Sequence, residues 1–234
     1  MGNTYKSLKS GMISGFPIII GYFPVAMAFG LLSKNVGISF RDSCFFSIFI
    51  FAGASQFMAL DLIKAGVAAG NIIFATFLLN LRHLMMSASL SVKLKEAKKK
   101  WLPFIAFGVT DETFSISTLK GEKLDTPFLL SLHTASYGSW VLGTLTGYLV
   151  GTVLPTVVQN SLGIGLYAMF AALLIPEVRK SLNVLYLSLI SGAVYVLLAL
   201  FKIVPDGWIL ITTIITAAGL GLLLLKDDTT EVQA

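Results

Sequence analysis

Apolar stretches follow one another along this chain with only short polar connections, and this pattern constrains the fold more than any motif. Each stretch is close to the roughly 20 residues that a helix needs to cross a bilayer. They cover residues 11–32, 44–63, 71–92, 101–119, 128–154, 162–177, 182–201 and 207–225. Because backbone polar groups find no water in lipid, these stretches must be helical. The sequence therefore predicts an all-α, polytopic integral membrane protein with seven to eight transmembrane segments.

Composition argues against a soluble domain beside these segments. Of the 234 residues, 56% are hydrophobic and 12% are charged, whereas soluble domains carry about 25% charged residues. Residues 1–234 are therefore expected to form a single transmembrane domain in the cell inner (cytoplasmic) membrane. The net charge of +5 is typical of positively charged cytoplasmic loops and does not indicate nucleic-acid binding.

Several segments are short or interrupted. Pro17 and Pro24 lie within the first, AGASQ (52–56) interrupts the second, and Pro176 is predicted to end the sixth. Proline removes a helical hydrogen bond, and small residues allow the backbone to unwind. Some of these segments are therefore expected to enter and leave the membrane on one side.

Loop charges predict orientation. Five lysines and one glutamate at 93–100 mark a cytoplasmic loop, and the uncharged stretch 155–161 is typical of an external one. The two signals agree if one segment between them does not fully span, and 101–119 is the candidate. In that case Lys6 and Lys9 are expected outside, against the usual rule.

A weak internal similarity suggests two related halves, residues 11–119 and 128–225. The stretch 45–60 occupies the place in the first half that 162–178 occupies in the second, with low identity. Many secondary transporters are built from repeats and bind substrate where broken helices meet at mid-membrane. A true repeat and an unrelated similarity both remain open at this level of identity.

One polar stripe runs along the third segment. Thr76, Asn80, His83 and Ser87 step by four, three and four residues, so they share a helix face, with Arg82 on its flank. Such a stripe lines a bundle interior or a water-filled path, or it joins helices through hydrogen bonds. Arg82 and His83 at the same depth favour the first interpretation, because an arginine at mid-bilayer costs at least about 2.5 kcal/mol.

The predicted partners of Arg82 are Asp111 and Glu112. All three occupy the eleventh or twelfth position of their segments, so they are expected at similar depth. Two carboxylates beside one arginine leave one negative charge or one shared proton, as a proton-coupled carrier requires. Arg82, His83, Asp111 and Glu112 are therefore assigned to a coupling and ion-pair site. A fixed ion pair that orients two helices is the alternative.

The stretch GASQF (53–57) is the third polar element. Gly53 and Ser55 allow unwinding, and the Gln56 amide both donates and accepts hydrogen bonds. Unwound helices at mid-membrane expose N–H and C=O groups that bind the charged ends of small zwitterions. Gly53, Ser55, Gln56 and Asn80 are therefore predicted to bind substrate. Close packing of small residues is the alternative.

Two further patterns lie on the fifth segment. Gly143, Gly147 and Gly151 repeat every four residues, which lets helices approach closely. This glycine face is interpreted as packing and is also a candidate contact for a partner subunit. His133 and Tyr137 lie one turn apart, and they either border a cavity or are satisfied interior residues; the second interpretation is preferred.

The motifs together resemble a known family. FAGASQFMAL (51–60), LLNLRHLMMSASL (78–90) and VTDETFSIS (109–117), in this order and spacing, resemble the AzlC family of branched-chain amino acid permeases. The stretches 15–32 and 162–176 are similar to it as well. The resemblance implies the large subunit of an exporter that works with a small hydrophobic membrane subunit, AzlD.

These features predict a proton-coupled secondary transporter that exports branched-chain (hydrophobic neutral) amino acids with an AzlD-like partner. An ion or water channel and a structural subunit of a membrane complex are the alternatives. An enzyme is not expected, since the sequence contains no phosphate-loop, HExxH or GxSxG motif. No cofactor and no metal site is predicted.

Overall fold

The computed structural model describes residues 2–94, 97–120 and 124–225, which are helical apart from short connections. The helices are α1 (Gly2–Val36), α2 (Phe40–Phe49), α3 (Gly53–Lys64), α4 (Ala69–Lys93), α5 (Leu102–Phe107), α6 (Asp111–Leu119), α7 (Thr126–Val150), α8 (Thr156–Lys180), α9 (Leu182–Phe201) and α10 (Asp206–Leu224). They cover all eight predicted segments, which confirms the all-α fold. Among the described helices, Thr4–Val36, Ala69–Lys93 and Leu182–Phe201 are each long and apolar enough to cross a membrane.

Two of the predicted segments are broken into pairs of shorter helices. The break between α2 and α3 falls at residues 50–52, slightly before the expected interruption at 52–56. The break between α5 and α6 falls at residues 108–110. All four helices have 12 residues or fewer, so none of them is long enough to cross a bilayer alone.

The prolines do not end the helices in which they lie. Pro17 and Pro24 are inside α1. The prediction that Pro176 ends the sixth segment is wrong, because Pro176 is inside α8, which continues to Lys180. A proline removes one helical hydrogen bond, and membrane helices tolerate this loss where neighbouring groups satisfy the freed carbonyl.

The chain divides into two compact units. The first contains the residues up to Leu60 and Leu79–Leu166, and the second contains Asp61–Leu78 and the residues from Tyr167 onward. In the second unit α9 packs against α10. All eight residues of the predicted substrate and coupling sites lie in the first unit.

A closely packed pair of helices, α1 and α7, forms the centre of the first unit. A Cβ added to Gly147 would lie 2.0 Å from the Met27 carbonyl oxygen, and one added to Gly30 would lie 2.1 Å from the Thr144 carbonyl oxygen. The glycines therefore bring the two backbones into direct contact, as small residues do at helix interfaces in membranes.

The α1–α7 pair runs parallel. Gly15 packs against Leu132 near the start of both helices, and Leu31 packs against Gly151 near their ends. The residue numbers thus rise together along the contact. The glycine face of α7, which the sequence offers as a candidate partner contact, is therefore occupied by α1.

Helices α2 and α3 form a hairpin whose tip is the break at residues 50–52. Gln56 Nε2 donates to Ser47 Oγ at 3.3 Å. A chain continuing in one direction would separate these residues by about 15–20 Å, so it folds back at the break. Tyr148 Oη donates to the Ile38 carbonyl at 2.9 Å, which places the entry of this hairpin beside the C-terminal end of α7.

Helices α5 and α6 form a second hairpin, whose tip is the break at residues 108–110. Lys120, just after α6, lies over the Phe128 ring, with Nζ 3.3 Å from the ring centroid. Trp101, just before α5, lines a cavity together with Leu130. Both ends of this hairpin are therefore beside the first turns of α7, at the opposite end from the α2–α3 entry.

The two hairpins resolve the conflict between the loop charges. Neither hairpin crosses the unit, so the start of α1 and the lysine-rich loop before α5 lie at the same end of it. At this end Lys120 Nζ donates to Ser10 Oγ at 3.2 Å. We call this the lysine-rich end. The expectation that Lys6 and Lys9 lie outside is therefore wrong, and the positive-inside rule assigns the lysine-rich end to the cytoplasm.

Candidate functional site

The two hairpin tips approach each other against the side of the α1–α7 pair. The Phe51 ring, at the tip of α2–α3, has its centroid 6.3 Å from that of Phe107 on α5 and 5.4 Å from that of Tyr137 on α7. Tyr22 on α1 completes the contact at 5.9 Å. Broken helices that meet within a membrane present backbone N–H and C=O groups, which transporters use to bind substrates. This meeting point is therefore the candidate functional site.

Tyr22 connects the second tip to the rest of the site. It is 5% exposed, and its ring packs edge-on against Trp140, with 5.3 Å between centroids. Its hydroxyl donates to the Glu112 carboxylate and lies 2.7 Å from Thr110 Oγ1. One buried hydroxyl therefore contacts both the cap and the first turn of α6.

The local sequence explains why α6 begins at Asp111. The Thr110 hydroxyl accepts from the Thr113 N–H at 3.3 Å, and Thr113 Oγ1 accepts from the Thr110 N–H at 2.8 Å. This reciprocal capping satisfies N–H groups that have no acceptor within the helix. Asp111 and Glu112 occupy the first turn, where the helix dipole favours negative charge.

The two carboxylates have different partners. Asp111 Oδ2 lies 3.0 Å from Arg82 Nη1, and these side chains are 28% and 34% exposed. Glu112 instead accepts from the neutral hydroxyl of Tyr22. The structure thus brings Arg82 to Asp111, the pairing expected from equal depth. His83, the next residue of α4, is half-buried.

The polar stripe of α4 makes contacts of two kinds. Ser55 Oγ donates to Asn80 Oδ1 at 2.6 Å and so joins α3 to α4. Thr76 Oγ1 instead donates to backbone carbonyls one turn earlier in its own helix, at 2.8 and 2.9 Å. Ser87 is half-buried. The stripe therefore contacts another helix through Asn80, and Arg82 on its flank contacts α6, while Thr76 is satisfied within α4.

Gln56 and Gly53 hold the first tip against α7. Gln56 is fully buried, and its Oε1 accepts from Trp140 Nε1 at 2.7 Å. A Cβ added to Gly53 would lie 2.6 Å from the Trp140 ring. Ser47, which accepts from Gln56, lies 2.7 Å from Thr144 Oγ1. These contacts fix the position of the tip relative to α7.

Sequence reasoning missed Tyr22, Trp140 and Thr110, and for Tyr137 it offered only a place beside a cavity or in the interior. Tyr137 Oη donates to the Ile48 carbonyl at the end of α2, at 2.8 Å. Isolated aromatic residues in apolar helices give no signal by which they can be singled out. The TDET stretch does carry one, because a threonine followed by acids is typical of a helix N-cap and could have identified Thr110.

His133 also differs from the sequence-based interpretation. It is 4% exposed, and among the described residues neither of its ring nitrogens has a hydrogen-bond partner. The preferred interpretation of a satisfied interior histidine is therefore wrong. In the same parts of the chain, no three His, Cys, Asp or Glu residues are close enough to hold a metal ion.

Comparison with known proteins identifies relatives that share much of this sequence. An uncharacterized membrane protein of Archaeoglobus fulgidus is 37% identical over 173 residues, covering 73% of this chain and 76% of that protein. The inner membrane protein YgaZ of Escherichia coli (strain K12) is 31% identical over 195 residues, covering 80% of each chain. The branched-chain amino acid transport protein AzlC of Bacillus subtilis (strain 168) is 27% identical over 161 residues, covering 64% of this chain and 63% of that protein.

A comparison with protein-family profiles assigns the chain to a family. No solved structure matches the chain. The profile described as AzlC protein matches residues 17–154, which include both hairpins and α7. This match covers more than half of the sequence, and the relatives above are membrane proteins by name or by transport function. The chain is therefore a multi-pass membrane protein that belongs to the AzlC protein family.

Proposed function

We propose that this protein is the large subunit of a secondary transporter that exports branched-chain amino acids, coupled to protons and acting with a small AzlD-like membrane subunit. The family supports a role in membrane transport, since the relative from Bacillus subtilis is named a branched-chain amino acid transport protein. The observation that carries the proposal is the meeting of two hairpin tips around Phe51 and Tyr22.

The groups around the tips suit a zwitterion. Helix α3 begins at the first tip, and the first N–H groups of a helix attract a carboxylate. Among the described residues Arg82 Nε has no hydrogen-bond acceptor, so in this proposal it is the donor for the substrate carboxylate. In this proposal Ser55 and Asn80 contact the substrate, while Gly53 and Gln56 shape the first tip.

Glu112 is the residue that we assign to the coupled proton. Arg82 compensates the charge of Asp111, and His83 is the next residue after Arg82 on α4. Glu112 instead has the neutral Tyr22 hydroxyl as its partner. A carboxylate without a cationic partner in a membrane is stabilised by binding a proton or water. Proton binding changes the hydrogen bond to Tyr22 and can thereby favour one arrangement of the tips over another.

The proposed activity can be tested in inverted membrane vesicles from cells that express the full chain with an AzlD-like subunit. With an acidic lumen, we expect saturable uptake of labelled leucine, isoleucine and valine, because these vesicles reverse the direction of export. Preloading with unlabelled leucine should produce counterflow, which a channel does not show. Intact protein that gives neither uptake nor counterflow would contradict the proposed function.

The requirement for a partner gives a separate prediction. Because α1 occupies the glycine face of α7, a subunit must bind another surface, and α4 exposes large apolar side chains such as Leu84 and Met85, at 70% and 74%. We expect an AzlD-like subunit to remain bound to a tagged chain through gel filtration in mild detergent. The chain purified alone and reconstituted at equal density should transport leucine weakly. Full activity of the chain by itself would rule out the requirement.

A further inference from the structure

A cavity of about 630 Å³ lies between α5 and α7, on the lysine-rich side of the hairpin tips. Its walls include the rings of Trp101, Phe104, Phe107, His133 and Tyr137. Its volume is within the range of roughly 300–1,000 Å³ found for small-molecule sites, which are typically apolar with a few polar groups. The cavity can therefore hold a small apolar molecule or the apolar part of a larger one.

The cavity shares a wall with the candidate functional site. Phe107 and Tyr137 line it, their ring centroids are 5.5 Å apart, and both rings contact Phe51 at the first tip. Gly108, the first residue of the second break, lines it as well. A molecule in the cavity would therefore touch the second tip directly, and it would contact two rings that pack against the first tip.

His133 supplies a polar group at this wall. Within the part of the chain that the structure describes, neither Nδ1 nor Nε2 has a hydrogen-bond partner, and the nearby Ile105 backbone is outside hydrogen-bonding geometry. A buried polar group left unpaired opposes folding, and such groups in native proteins need an explanation, for example a functional role. A ligand that bonds to His133 would provide one.

We propose that this cavity binds the aliphatic side chain of the transported amino acid and that His133 hydrogen-bonds to its polar end. The inference rests on the proposed function and specifies where its substrate is recognised. The aromatic walls suit a compact branched side chain, and the polar end would point towards the break at Gly108. A lipid chain would suit the walls equally well but would leave His133 unpaired.

Binding requires α5 to move relative to α7. A Cβ added to Gly108 would lie 2.3 Å from His133 Nδ1, so the start of the break covers the imidazole in the present arrangement. The residues between α5 and α6 are not helical and allow α5 to pivot. Substrate entering from the lysine-rich end would displace α5 and expose the ring nitrogens.

His133→Leu tests the polar contact. Leucine is close to histidine in size and has no polar side-chain atom, so the variant removes the unpaired nitrogens without opening a large cavity. We expect thermal stability equal to or above that of the wild type. The apparent KM for leucine counterflow should be about tenfold higher, because the variant loses one hydrogen bond to a charged group. Thr146→Val is the matched control on α7, since Thr146 Oγ1 donates to its own helix at Leu142. It should leave the KM unchanged.

Leu130→Phe tests whether the cavity binds the substrate side chain, and this test is valid whether or not His133→Leu folds. The larger residue fills part of the cavity, so the ratio of leucine to alanine uptake should fall by about tenfold, because alanine occupies less of it. This site would be overturned if, in vesicles where the wild type transports leucine, His133→Leu leaves the KM for leucine unchanged and Leu130→Phe leaves the ratio of leucine to alanine uptake unchanged. The proposed function would then stay intact. Absence of leucine transport by the wild type would overturn both.

Discussion

Replacing Glu112 with glutamine is expected to abolish transport driven by a pH gradient while exchange of substrate at equal pH continues. Glutamine has nearly the same size and can still accept the hydrogen bond from Tyr22, but it cannot bind the transported proton. Uptake of leucine into inverted vesicles with an acidic lumen should fall at least about tenfold, which corresponds to about 1.4 kcal/mol of lost coupling free energy. Counterflow at equal pH on both sides should change little.

Asp111→Asn is the comparison that separates coupling from structure. It removes the charge that compensates Arg82, and an uncompensated cation within a membrane is unfavourable. This variant should therefore lose folded protein, with driven uptake and exchange falling together. If Glu112→Gln and Asp111→Asn both retain the full dependence on the pH gradient, coupling does not run through this pair, and the two acids have a structural role.

Adding a methyl group at Gly147 is expected to prevent α1 from packing against α7. The Cβ would lie 2.0 Å from the Met27 carbonyl oxygen, and backbone on both sides leaves no side-chain rotation that relieves the contact. Overpacking costs about 1–3 kcal/mol where side chains can adjust, and a contact between backbones should exceed that range. Gly147→Ala should therefore give little monodisperse protein in fluorescence-detected gel filtration.

Gly138→Ala is the control for this prediction. It lies on the same helix, and a Cβ at this position meets no atom within 4 Å. Since alanine is favoured over glycine in helices by up to about 1 kcal/mol, this variant should fold at least as well as the wild type. Equal thermal stability of Gly147→Ala and Gly138→Ala would be incompatible with direct backbone contact between α1 and α7.

Hydropathy alone predicts the helices of this fold but not the hairpins. The apolar stretches correspond to helices because lipid leaves the backbone no alternative. Folding back at residues 50–52 is fixed by specific side-chain contacts, such as Gln56 with Ser47, and hydropathy carries no such information. The sequence analysis assumed that one segment does not span, whereas the first unit contains two such segments. This difference put Lys6 and Lys9 on the wrong side.

Equal depth in consecutive segments was sufficient to predict that Arg82 pairs with one of the two acids, but it could not distinguish Asp111 from Glu112. That distinction depends on Tyr22, which is 90 residues before Glu112 in the chain. Gln56 was recognised at the first tip, yet its partner Trp140 is 84 residues away. In both cases the missing information is a tertiary contact that no local pattern encodes.

The relation between the halves 11–119 and 128–225 stays a prediction. Helices α1 and α7, which begin these halves, run parallel along their glycine contacts. Secondary transporters contain both inverted and parallel repeats. A repeat in this chain would therefore be of the parallel kind, which the faint similarity of sequence could not indicate.

The long separation between α1 and α7 sets an order of events during biosynthesis. Met27 meets Gly147 only after the ribosome has added more than a hundred further residues, which takes roughly 5–25 seconds at usual elongation rates. During that interval α1 waits in the bilayer without its closest neighbour, and both hairpins wait for the helix that anchors them. Assembly of the first unit is thus completed late, and a nascent chain that stalls before α7 would present incompletely packed helices to membrane quality-control proteases.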